Sequence, residues 1–154
     1  MKKIVSFSAI VLLLVACDKG KFETKPQLTL KSINNTEIRF GAPLQIVLEF
    51  TDKEGDVSDT LAFIRQRLNA SDPFTAPPSY YSVPDSRNAT KGEIEMKLEY
   101  QTDVIFNIFP IRIPGSNPEK NEKDTMRYKI VVHDKGGNTS DTVTIDNIIV
   151  DRDQ

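Results

Sequence analysis

The residues of this chain best suited to chemistry are carboxylates gathered in two turns. Asp52, Glu54 and Asp56 alternate in one short segment, with Asp59 close behind. Asp134 and Asn138 frame a second segment, Asp134-Lys135-Gly136-Gly137-Asn138. Alternating carboxylates present several oxygens toward one point, and a hard cation such as Ca²⁺ takes about six to eight of them. Asp52, Glu54, Asp56 and Asp134 are therefore the candidate metal set. The spacing lacks the longer ligand run, closed by glutamate, of a helix-flanked calcium loop. The same residue types also form turns without any ion, because Asp and Asn side chains bond nearby backbone amides and glycine supplies positive φ. Both readings stand on the sequence.

A second group is aromatic. Phe74, Tyr80 and Tyr81 fall in a Pro- and Ser-rich stretch with Pro77, Pro78 and Pro84. Exposed tyrosines beside rigid prolines make a contact surface for a protein or a glycan. The same rings can instead close an open edge or end of a sheet. Catalysis finds little support. His133 is the single histidine, set on an alternating strand with its side chain outward and Asp134 next to it. No G-x-S-x-G nucleophile turn accompanies it. Phosphate-cradling glycine loops and His-rich metal motifs are absent too. The expectation is a protein without catalytic residues and without a required cofactor.

Cys17 is the only cysteine among 154 residues. Thiolate zinc sites and internal disulfides are thereby excluded, so stability has to come from an apolar core. The cysteine closes a segment with a positive start, Met1-Lys2-Lys3, then an apolar run from Ile4 to Ala16. That run is shorter than the roughly 20 residues needed to span a bilayer, and its layout is that of a cleaved secretory signal. Leu14-Val15-Ala16-Cys17 resembles the lipobox of bacterial lipoproteins. The resemblance implies a signal peptide over 1–16 and an acylated Cys17 as the mature N-terminus. It further implies a location in the cell envelope, at the outer membrane, with the lipid as the membrane contact. The whole sequence carries a net charge of −2, and losing Lys2 and Lys3 leaves the remainder more acidic. Without a basic patch, nucleic acid is excluded as a partner.

The elements that must position these residues are strands. Residues 17–26 are polar and read as a tether. Beyond them apolar residues recur with period 2. Leu44, Ile46, Leu48 and Phe50 form one such set; Ile94, Met96, Leu98 and Tyr100 a second; Met126, Tyr128, Ile130 and Val132 a third. Ile46, Leu48, Phe50, Leu98, Ile130 and Val132 are the expected core. Further strands are predicted at 27–33, 37–40, 104–113 and 141–150, and 59–68 reads as a strand or a short helix. Residues 70–87 and 114–123 read as surface loops.

Seven or eight short strands separated by turn signals predict an all-β antiparallel sandwich over 27–154. Thr36–Asp56 resembles an early strand pair of immunoglobulin-like domains. Asp124-Thr125-Met126-Arg127-Tyr128 is similar in spacing to their tyrosine corner, although Ile130 stands where antibodies have cysteine and there is no tryptophan. Asp134–Val150 resembles the closing hairpin of bacterial Ig-like domains. The chain as a whole looks like a Bacteroidetes-type lipoprotein with one Ig-like domain. Such a fold implies that the Asp52–Asp59 turn and the Asp134–Asn138 hairpin share one end of the sandwich. Two function classes remain: a non-catalytic binding or accessory module serving an envelope protein or glycan, and a small envelope hydrolase or glycan-active protein.

Overall fold

The computed structural model describes residues 25–83 and 88–154. The signal segment and Cys17 lie outside the described residues, as does Pro84. The molecule is an all-β sandwich of two sheets. The smaller sheet holds β1 (Gln27–Ile33), β3 (Leu44–Thr51) and β7 (Lys91–Leu98), with β3 in the centre and antiparallel to both neighbours. The larger holds β2 (Glu37–Ile38), β9 (Val143–Val150), β8 (Asp124–Asp134) and β4 (Val57–Arg67) in that order. Among the described strands only β2 runs parallel to its neighbour, β9. The region expected to be a helix or a strand is β4, eleven residues long. All six expected core residues are buried, all but Phe50 completely.

Alternation explains why these segments pair face to face. Along β3 every second residue from Leu44 to Phe50 is buried, and along β8 every second residue from Asp124 to Asp134. Period 2 puts each set on one side of a sheet. Alternation changes phase within β9, where Val143 and Ile145 point inward and then Ile148 and Val150 do. The register against β8 shifts there, and Asn147 adopts φ 59°. This is a β-bulge, an extra residue that resets the phase so both halves of the strand bury their apolar side. Gly92 lies directly opposite Phe50, and a Cβ added to it would sit 2.7 Å from the Phe50 ring. The ring covers the glycine, so this position needs no side chain.

Two sequence expectations are corrected. The described part of the predicted 70–87 loop, residues 70–83, is not simply a loop: β5 (Phe74–Thr75) and β6 (Ser79–Ser82) both pair along the outer edge of β4. Residues 104–113 do not form a strand. A π-helical turn over Tyr100–Val104 is followed by an irregular arm in which Asn107 adopts φ 60°. Its carbonyls are taken by arginines in place of a ladder: Arg65 donates to Asp103 and Phe106, Arg152 to Ile108 and Arg67 to Phe109. The apolar residues of the arm accordingly divide. Val104 and Ile108 are buried, whereas Phe106 and Phe109 are exposed.

Candidate functional site

The carboxylate turns meet, as the Ig-like resemblance implied. β3 and β8 end at the same end of the sandwich, where the Lys135 N–H donates to the Asp56 carbonyl at 2.9 Å. One carboxylate oxygen from each of Asp52, Asp56 and Asp134 lies within 4.8 Å of the other two. Asp52 and Asp134 are buried and Asp56 is half-buried. Glu54 is exposed on the turn and outside this cluster. Asp59 falls within β4.

Local hydrogen bonds account for much of the cluster. Both oxygens of Asp134 are occupied by Asn138, one by its backbone N–H and one by its amide, each at 2.7 Å. Asp52 Oδ2 accepts the Asp56 N–H at 2.8 Å. Asp52 Oδ1 and Asp56 Oδ1 are buried and accept no hydrogen bond. Burial, followed by the neighbouring charges of Asp134 and Asp52, raises the Asp56 carboxyl above its ordinary pKa. Two oxygens without partners are far fewer than a Ca²⁺ shell requires. A proton held at Asp56 relieves the same repulsion.

The aromatic residues do not form one patch. Tyr81 is partly buried against the core; its hydroxyl accepts the Lys97 N–H at 3.1 Å and donates to the Glu95 carbonyl at 3.4 Å, tying the edge of the larger sheet to β7. Phe74 stands opposite Arg67 at the far end of β4. Tyr80, 72% exposed, lines a cleft of about 280 Å³ on the outer face of the larger sheet, with Ala62, Ile64, Pro78, Lys129, Val131 and Thr142.

His133 is exposed, and its Nδ1 lies 2.8 Å from Thr139 Oγ1. The nearby Ser140 is buried; its hydroxyl accepts the Val132 N–H and donates to the Asp141 carbonyl. This arrangement leaves that serine no free role as a nucleophile. The resemblance to a tyrosine corner does not extend to its hydrogen bond. Tyr128 is fully buried with an unbonded hydroxyl, whose pKa burial pushes upward. The Tyr100 hydroxyl, by contrast, donates to a distant carbonyl, that of Asp151.

The residues that sequence reasoning missed are Arg65, Arg67, Arg152 and Asp124, all buried. Asp124 lies 3.5 Å from Arg67 Nη1 and 3.3 Å from Arg152 Nη1. Burial drives its carboxyl pKa up, and these two guanidiniums pull it back. A signal was present in β4: Leu61, Phe63, Arg65 and Arg67 follow one another at period 2, so the inward stripe ends in two cations.

No family model matches the chain, and no curated protein does. Among solved structures the sandwich is similar to Spo0M, a sporulation control protein from Bacillus subtilis, with TM-score 0.51 and 9% identity over 84% of this chain. The chain spans half the length of that protein. A putative late embryogenesis abundant protein matches with TM-score 0.49 and 8% identity, over 84% of this chain and 72% of its own. A β-glucosidase from Listeria innocua matches over 84% of this chain and 16% of its own, with TM-score 0.41 and 10% identity. At such identities the likeness to Spo0M is one of fold alone.

Proposed function

We propose that this chain is a lipid-anchored protein of the cell envelope that acts by binding a partner and not by catalysis. The lipobox-like Leu14-Val15-Ala16-Cys17 supports the anchor. The single observation that carries the binding reading is the polarity of the sandwich. β1 starts beside the end of β3, with Gln27 opposite Thr51, so a tether from Cys17 enters at the carboxylate end. Eight large hydrophobics are exposed among the described residues, and Phe40, Leu68, Phe74, Phe106, Phe109 and Ile113 lie at the opposite end. Buried arginines fix the arm that carries Phe106 and Phe109. Apolar surface held rigidly at the membrane-distal end is suited to contact with another envelope protein.

The test is site-specific photo-crosslinking in intact cells. A photo-reactive residue at position 109 is expected to give a discrete adduct, and one at position 54, on the carboxylate end, none. Equal labelling from both positions, or none from either, would count against the reading. The alternative, a small envelope hydrolase or glycan-active protein, would gain support from ester or glycoside turnover that Asp52→Asn or Asp134→Asn abolishes.

A further inference from the structure

The outer face of the larger sheet breaks the rule that a sandwich's wet face is polar. Tyr80 of β6, Ala62 of β4 and Val131 of β8 lie side by side across three strands. Ile64 and Lys129 form the next cross-strand pair. The small side chain of Ala62 between Tyr80 and Val131 leaves a hollow, closed on the edge side by Pro78 and Tyr80 and on the other by Thr142. Its volume, about 280 Å³, is just below the roughly 300–1,000 Å³ of ordinary ligand clefts. There is room for one ring and a short chain.

The chemistry of the lining narrows the occupant. The floor is Ala62, Ile64 and Val131, one wall is a tyrosine ring, and the charged group present is the Lys129 ammonium. Among the described residues Lys129 forms no ion pair or side-chain hydrogen bond, whereas its neighbour Arg127 is paired with Asp146. A free sugar would need several polar partners, and the lining offers only Lys129, Thr142 and the Tyr80 hydroxyl. An apolar body with a single anionic head matches both the floor and the unpaired cation. We infer that the Tyr80–Lys129 cleft binds a small amphipathic carboxylate, its ring or alkyl body over Ala62 and against Tyr80, its carboxylate on Lys129. This site does not depend on the partner proposed for the opposite end of the molecule.

The experiment is a titration of the full-length chain, in neutral-lipid nanodiscs, with 3-phenylpropionate and with its neutral amide. Methyl NMR signals of Ala62, Ile64 and Val131 report occupancy. The acid is expected to shift them saturably and to bind about fivefold more tightly than the amide, the upper end of what one exposed ion pair contributes. Lys129→Gln is expected to erase the difference between the two probes, and Tyr80→Ala to weaken both. Both substitutions are at the surface, and unchanged core methyl signals verify the fold. The inference is overturned if neither probe shifts these methyls into the millimolar range, if acid and amide bind the wild type equally, or if Lys129→Gln leaves their difference intact.

Discussion

Asp56 is where the charge balance of the carboxylate end is decided. Two further carboxylates lie within 4.8 Å, and its own Oδ1 is buried without a partner. A carboxyl whose pKa is raised by folding binds a proton more tightly in the native state than in the unfolded chain. Its contribution therefore favours the fold at low pH and is lost as pH rises through the carboxylate range. Asp56→Asn should raise the melting temperature at neutral pH, and the gain should shrink as pH falls through that range. Thermal melts of both proteins across pH check this, and a gain independent of pH would count against it. Because Asn138 occupies both oxygens of Asp134, millimolar Ca²⁺ should leave the melting temperature unchanged. A rise of several degrees, abolished by Asp56→Asn with Asp134→Asn, would establish the cation site by linkage.

At the scale of elements, the arm after β7 is fixed by charge rather than by a ladder. Arg65, Arg67 and Arg152 reach it from β4 and from beyond β9, and Asp124 on β8 neutralises two of them. Removing one member of a buried ion network leaves uncompensated charge and costs about 3–5 kcal/mol. Asp124→Asn should lose stability of that order in chemical denaturation, and a loss under about 1 kcal/mol would mean that the network does not hold the arm. Hydrogen exchange at residues 105–109 should quicken in the same variant more than exchange in β3. Gly92 is the matching test in the smaller sheet. Gly92→Ala forces the Phe50 ring off its position and should cost about 1–3 kcal/mol, the usual range for overpacking.

For the whole molecule, one core joins the two sheets, and its inward residues come from both. Leu48 of the smaller sheet and Ile130 of the larger are completely buried. Truncating either to alanine should cost about 2–5 kcal/mol by denaturant titration. A cost under about 0.5 kcal/mol at both would place them outside the core. The proposed anchor belongs to the scale of the whole chain too, because it would set which end faces the membrane. Labelled palmitate should enter the wild-type protein and not Cys17→Ala, and equal incorporation would remove the anchor from the proposed function. Two acyl chains suffice for stable attachment at about 0.8 kcal/mol per buried methylene.

The sequence by itself determined the strands with unbroken alternation. β3, β7 and β8 carry apolar residues on every second position, and period 2 leaves them one way to bury those residues. That the two aspartate turns share an end was implied by the Ig-like resemblance, and the structure joins them through the Lys135 N–H and the Asp56 carbonyl. Three things were decided only by the tertiary structure. The apolar run of 104–113 became an arm because buried guanidiniums, supplied from positions 40 or more residues away in the chain, captured its carbonyls. Within the Pro-rich stretch, Phe74–Thr75 and Ser79–Ser82 became edge strands because β4 offered them an open row of backbone groups. The Tyr80 cleft exists because register set Tyr80, Ala62 and Val131 side by side. Local periodicity tells which side of a strand is apolar. It carries no information on which distant side chain will satisfy a carbonyl, or which residues will be neighbours across three strands.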